Sequence, residues 1–340
     1  MEILMGVAAL LGALCLFSLF SFKAPNGSAA MSGLADAAIA TFLVEAIHKY
    51  VMGNLLGISY LADFGNMVGS MGGIAAATLV MLRMGVQPVY AIVTGLAMAN
   101  LGILEGFIVG YLFSFAAPLF KKYLPEGVDV ILGVLTLAPL ARLVGIFISP
   151  GLEVLMGTLA SMITEATLLS PIAMGFLLGG LIKMVCTSPL SSMALTAMLG
   201  LTGLPMGIAA IACVGGSFTN GYIFHSLKLG KSSNTISVML EPLTQAHIVT
   251  RNPVPIFMSN FIGGALAGVI AAYFGIINDA PGSAAPIPGL LASIAFNEPH
   301  TLLMSTVAAA IAGLAGGIIG NRIYNKLLAE RIPLQHFANG

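Results

Sequence analysis

The chain has 340 residues, of which 58% are hydrophobic and only 8% charged. Soluble domains carry about 25% charged residues, so a water-facing fold is excluded for most of this sequence and an integral membrane protein is implied. Thirteen basic and thirteen acidic residues cancel, which excludes the basic surface of a nucleic-acid binder and a polybasic lipid anchor.

A helix needs about 20 apolar residues to cross the hydrocarbon. The start, MEILMGVAALLGALCLFSLFSF, lacks a positive n-region and a small-residue cleavage site. It reads as a first transmembrane helix over Ile3–Phe22 rather than a removed leader. Ala29–Met52 is amphipathic and holds Asp36, Glu45 and an interfacial His48. Gln87–Phe120 is an apolar run with Glu105 in its middle, too long for one upright helix and short for two. Ile131–Pro150 contains Pro139 and Arg142, and Arg142 is a structural partner for Glu105. Gly151–Leu169 and Pro171–Cys186 are separate short segments, divided at Ser170 and Pro171, with Glu165 and Lys183 near their ends and free to snorkel. Ala194–Gly216, Pro253–Gly275 and Thr301–Tyr324 complete the long candidates. Together these predict an all-α fold of about ten membrane-inserted helices.

Several segments are short or broken by Gly and Pro. Broken helices expose backbone groups that lipid cannot satisfy, so they must be buried in protein or line a wet cavity. Transporters build their solute sites there. The spacings Gly175/Gly179, Gly264/Gly268 and Gly313/Gly317 place small residues on one helix face, where they serve close packing. Arg322, Lys326 and Arg331 after the last span put the C-terminus on the cytoplasmic side, and Lys228, Lys231 and Arg251 mark a second cytoplasmic connection.

Two segments are unusual. The first, Ser217–Asn252, is the longest polar stretch, with His225, Lys228, Lys231, Glu241, His247 and Arg251. The run from Val238 to Met258, VMLEPLTQAHIVTRNPVPIFM, interleaves apolar residues with Glu241, Gln245, His247 and Asn252 and is cut by three prolines, Pro242, Pro253 and Pro255, as in a re-entrant hairpin; a solvated loop is the other reading. The second is SIAFNEPHTLL, Ser293–Leu303. Its apolar lead-in is too short to span, which puts Asn297, Glu298, Pro299 and His300 at a hairpin tip before the last helix. A carboxylate at membrane depth is by default a functional group. The other reading makes Glu298 an interfacial residue in the first turn, favoured by the helix dipole, with Pro299 where helices accept proline. LEPLTQAH and NEPHTLLM each place a Glu-Pro shortly before a His.

The three cysteines, Cys15, Cys186 and Cys213, show no CxxC or Cys/His spacing, so neither a metal site nor a disulfide framework is expected. No phosphate-binding loop, GxSxG or HExxH is present, and no cofactor is expected. What remains are Glu, His, Asn, Gln and Thr side chains, which suit a ligand whose hydroxyls both donate and accept. A Glu or His beside such a hydroxyl also suits a general base, if a separate protein supplied a phosphoryl group.

The FNEP motif leading into the last span resembles the NEP motif of the membrane subunits, EIIC, of the sugar phosphotransferase system, especially the lactose/chitobiose-type permeases. SPLSSMALTAMLGLTGLPMGIAAIACVGGSFTNGYIF and NPVPIFMSNFIGGALAGVIAAYFG resemble the EIIC-like group that includes the perfringolysin O regulator. This resemblance implies a glucose-superfamily EIIC-like fold in a multi-pass protein of the bacterial plasma membrane, acting as a homodimer. It implies that residues 1–150 form the dimer scaffold and residues 151–330 the transport half, with re-entrant hairpins near 217–252 and 286–300. Glu298 then matches the sugar-binding glutamate, Asn297 its neighbour, and His247 or His225 the site histidine, His247 being preferred. Glu241, Asn252 and His300 complete the candidate solute ligands. The implied partners are a sugar or similar polar solute and a separate EIIB protein, since the chain carries no fused EIIA or EIIB domain; His300 departs from the motif. A solute sensor on the same fold and a secondary transporter are the alternatives.

Overall fold

The computed structural model describes residues 2–125, 127–188 and 190–334. It is 82% helical, with no strand among the described residues. In chain order the helices are α1 (Glu2–Lys23), α2 (Gly27–Ala38), α3 (Ser59–Gly69), α4 (Gly72–Arg83), α5 (Pro88–Ala97), α6 (Ile103–Tyr123) and α7 (Val128–Leu169). They continue as α8 (Pro171–Cys186), α9 (Ser192–Met198), α10 (Gly203–Ser226), α11 (Ser232–Leu240), α12 (Ala246–Val249), α13 (Pro253–Tyr273), α14 (Pro286–Ile294) and α15 (Pro299–Ile323). Seven helical segments are long and apolar enough to cross a membrane, and the bent pair α3–α4 would make an eighth. The shorter apolar helices α5 and α8 bring the inserted set close to the ten expected.

Proline decides much of this segmentation, in two opposite ways. Pro88, Pro171, Pro253, Pro286 and Pro299 each occupy a first-turn position of α5, α8, α13, α14 and α15. There the missing N–H costs nothing and the fixed φ suits the helix. Pro118 lies inside α6, and Pro139 and Pro150 inside α7; neighbouring groups re-satisfy the freed carbonyls of such apolar helices. The two segments expected at Ile131–Pro150 and Gly151–Leu169 are therefore one helix of 42 residues, about 63 Å long at 1.5 Å per residue. The long run Gln87–Phe120 divides at Asn100, which adopts φ 61° between α5 and α6. Ala194–Gly216 also divides, where Gly200 and Gly203 at φ 59° and 63° turn the chain from α9 into α10.

The helices form two compact units. The first comprises Gly12–Ala160 and Met193–Gly200. Its interior is apolar, with Met81, Tyr90, Met98, Val109, Phe113 and Leu137 in one buried cluster. Arg142 donates to the carbonyls of Ala97 (3.2 Å) and Ala99 (2.5 Å), closing the turn after α5. It does not pair with Glu105, which instead accepts from the Ser149 hydroxyl at 2.9 Å. A helix-end carbonyl pair gives the guanidinium the acceptors that the sequence assigned to a carboxylate. Glu45–Lys49 (2.7 Å) and Asp36–Arg83 (2.6 Å) are ion pairs of this unit.

The second unit comprises Met1–Leu11, Ser161–Ser192 and Leu201–Gly340. α10 runs through its middle, packed on α8, α13, α14 and α15. The expected small-residue faces meet there: a Cβ on Gly175 would lie 2.7 Å from the Gly268 carbonyl, and one on Gly179 2.5 Å from that of Gly264. Gly313 packs on the backbone of Gly215. Such backbone-to-backbone approach is what lets helices associate without a hydrophobic driving force.

Candidate solute site in the second unit

Two helical hairpins, each far shorter than a span, lie against α10. α11 and α14 have nine residues each, about 13 Å, or roughly half of the 30 Å hydrocarbon core. They touch one another.

The first hairpin runs from Lys231 to Asn252. Its polar residues mostly secure its own geometry. The Lys231 N–H donates to Asn234 Oδ1 (2.9 Å), and Asn234 Nδ2 reaches across to Gln245 Oε1 (2.8 Å). Gln245 is buried, so this bond ties α11 to the returning 3₁₀ turn Pro242–Gln245. α10 holds the descending leg: Ser217 donates to the Met239 carbonyl at 2.6 Å, and Asn220 to that of Val238 at 3.3 Å. Glu241 follows at the turn, half-buried, and burial pushes its carboxyl up to about 7. His247 is exposed on the returning leg, and Asn252 is buried at the cap of α13. His225 lies exposed in the last turn of α10.

The second hairpin runs from Ile276 to His300. Its entry is organised by Asn278, whose Nδ2 donates to Ser283 Oγ (3.0 Å) while its Oδ1 accepts from the Ala280 N–H (2.8 Å). The exit is organised by Asn297. Its Oδ1 accepts from the Ile277 N–H (3.0 Å), and its Nδ2 donates to the carbonyls of Ile277 and Ser293 (2.7 Å each). The amide therefore clamps the hairpin's two ends together. Glu298 occupies the N-cap position of α15 but makes no capping hydrogen bond with its side chain, and both it and His300 are exposed.

Between the hairpins and the helices lies a buried polar layer that sequence reasoning missed. Lys183 is 0% exposed, and its Nζ has no hydrogen-bond partner. It does not snorkel, because it faces inward from α8 rather than along it to an end. Two glycines make room for its stem: a Cβ on Gly264 would meet Lys183 Cβ and Cγ, and one on Gly216 its Cγ, Cδ and Cε. One helical turn on, Thr187, Asn220 and Asn260 form the next layer on the same three helices. Asn260 Nδ2 donates to Asn220 Oδ1 at 2.8 Å and approaches Thr187 Oγ1 at 3.4 Å, while its own Oδ1 has no partner. Cys213 and Ser192 both reach the Ala284 carbonyl of the second hairpin. Cys186 and Cys213 are buried and free, whereas Cys15 is exposed. Among the described residues no group of three His, Cys, Asp or Glu could hold a metal ion.

Seven helical segments long and apolar enough to span, around an interior that includes buried polar side chains, define a multi-pass membrane protein. Residues 28–333 match the family described as "Phosphotransferase system, EIIC", and the chain belongs to that family. It is thereby a membrane component of a sugar-specific transport system, in a family that takes a sugar as substrate and an EIIB protein as partner. No curated protein and no solved structure matches the chain.

Proposed function

We propose that this protein is an EIIC-type permease that binds a sugar or similar polar solute in its second unit and carries it across the bacterial plasma membrane as a homodimer. In this reading residues 1–150 serve as the dimer scaffold and 151–330 as the transport half, which shifts as a body with the solute occluded. A separate EIIB protein then phosphorylates the sugar. The observation that carries the reading is the pair of half-length hairpins packed on α10, in a unit that also holds a buried layer of amides and hydroxyls. In this reading the exposed Glu298 and His247 contact solute, and the exposed His300 and His225 are the further candidates. Glu241 approaches from the half-buried turn, and Asn297 and Asn252 hold the turns that carry them. A carboxylate accepts two sugar hydroxyls at once, and an imidazole both accepts and donates.

Uptake of radiolabelled sugars into proteoliposomes, with and without purified EIIB and its phosphoryl donor, tests this. Uptake that requires EIIB and delivers sugar phosphate is the expected result. Uptake without EIIB would make the protein a secondary transporter, and binding without uptake would make it a sensor.

A further inference from the structure

Lys183 is a buried charged side chain that the proposed solute contacts leave unused. An ammonium removed from water carries a desolvation penalty of several kcal/mol unless an anion or good hydrogen-bond acceptors replace the water. Lys183 has neither. Its stem is fixed in a slot between Gly264 of α13 and Gly216 of α10, so the head group cannot swing to a membrane surface. Glu241, Cys186 and Cys213 are in its electrostatic reach. Glu241 is nonetheless beyond hydrogen-bond distance, since Lys183 Nζ has no partner.

The donors and acceptors around the ammonium narrow what completes it. The nearby hydroxyls and amides already donate to protein acceptors: Thr187 to the Met184 carbonyl, Ser217 to Met239, Asn220 to Val238, and Asn260 to Asn220. Lys183 Nζ keeps all three of its hydrogens unused, and the Asn260 Oδ1 one turn away keeps its lone pairs unused. The first is a buried charge without a counter-charge, which a carboxylate or phosphate neutralises and a neutral hydroxyl does not. The second calls for a donor, such as a hydroxyl.

We propose that Lys183 is a solute-binding residue and that the solute this unit occludes is a hydroxylated anion, a sugar acid or sugar phosphate whose anionic oxygens pair with Lys183 Nζ while a hydroxyl donates to Asn260. This rests on the reading of the second unit as a solute site and names the class of solute. Glu241, which the ammonium feels electrostatically but does not pair with, is the negative charge that an incoming anion must overcome.

The test is equilibrium binding to the full chain in nanodiscs, using matched pairs: glucose with glucuronate and with glucose 6-phosphate, galactose with galacturonate, and inorganic phosphate alone. The uronates and the sugar phosphate separate the two anionic sources, and inorganic phosphate reports whether the anion suffices without hydroxyls. The expected result is that one acidic member binds at least about tenfold tighter than its neutral twin, a difference of the size one well-made charge pair supplies. In Lys183→Met that preference falls to about twofold or less. Glu241→Gln, which removes the competing carboxylate and leaves the slot intact, raises the preference and keeps the question answerable if Lys183→Met fails to fold. Neutral members binding as well as acidic ones, or an acid preference that Glu241→Gln leaves unchanged, would overturn the assignment while the sugar-permease reading stands. Absence of binding across the whole panel, with EIIB-dependent uptake also absent, would overturn both.

Discussion

Two Glu-Pro turns, Glu241-Pro242 and Glu298-Pro299, look alike in the sequence and are built differently. Each begins a helical turn on proline and each is soon followed by a histidine. At the first, the carboxylate is half-buried within electrostatic reach of Lys183, and the turn is held by a side-chain bond across the hairpin, Asn234 to Gln245. At the second, the carboxylate is exposed, and the turn is held by an asparagine beside it that uses both ends of its amide on backbone. A shared dipeptide therefore specifies a helix start and nothing about charge environment. The contacts from α10 differ accordingly: Ser217 and Asn220 bond to Met239 and Val238 just before the first turn, whereas Cys213 reaches the second hairpin at Ala284, in its entry.

The two turns differ most in their carboxylates. Glu298→Gln is expected to abolish sugar binding measured in nanodiscs while the protein elutes as the same folded species, because an amide replaces one acceptor by a donor at the exposed contact. Glu298→Gln with unchanged affinity would remove Glu298 from the site and leave Glu241 as the acidic ligand. Next in size is the clamp. Asn297→Ala deletes three hydrogen bonds to backbone, at about 1 kcal/mol each, so a loss of roughly 2–3 kcal/mol in the stability of the second hairpin is expected. Hydrogen exchange of amides 276–300 reads it, and amides 232–252 should be unaffected. The matching change in the first hairpin, Asn234→Ala, removes one side-chain bridge and one capping bond. It should cost less, about 1–2 kcal/mol, with the protection loss confined to 232–252.

The helices, their proline starts and the small-residue faces were legible in the sequence, because hydrophobicity and the steric demands of Pro and Gly act locally. The fusion of Ile131–Pro150 with Gly151–Leu169 was not, since whether Pro150 ends a helix depends on what re-satisfies the freed carbonyls, and that is a tertiary matter. Lys183 was misread for a related reason. Three residues before the last residue of α8, it has the position of a snorkelling residue, and only the register of α8 against Gly216 and Gly264 turns it inward. The signal existed in pieces, two glycines each four residues from an asparagine (Gly216 and Asn220, Asn260 and Gly264), but nothing local joined those pieces to Lys183. The sequence singles out Asn297 as a candidate solute ligand and gives no sign of the clamp, because its partner Ile277 lies twenty residues away.

The smallest expected effect separates the two turns by pH. Glu241 lies in a turn outside the spanning helices, and burial raises its carboxyl from 4.5 to about 7. The docked first hairpin thus prefers the protonated acid, and the opened hairpin, with the carboxyl in water, releases the proton at lower pH. Below about pH 4.5 both states are protonated and docking is at full strength. As pH rises toward about 7 the opened state loses its proton first, so docking weakens across that window and is flat above it. Hydrogen exchange of amides 232–252, corrected for intrinsic rates, should therefore show protection falling between about pH 5 and pH 7, with amides 276–300 unchanged. Glu241→Gln should remove the slope and keep the low-pH protection. A slope that persists in that variant would place the titrating group elsewhere and leave the two turns alike in their electrostatics after all.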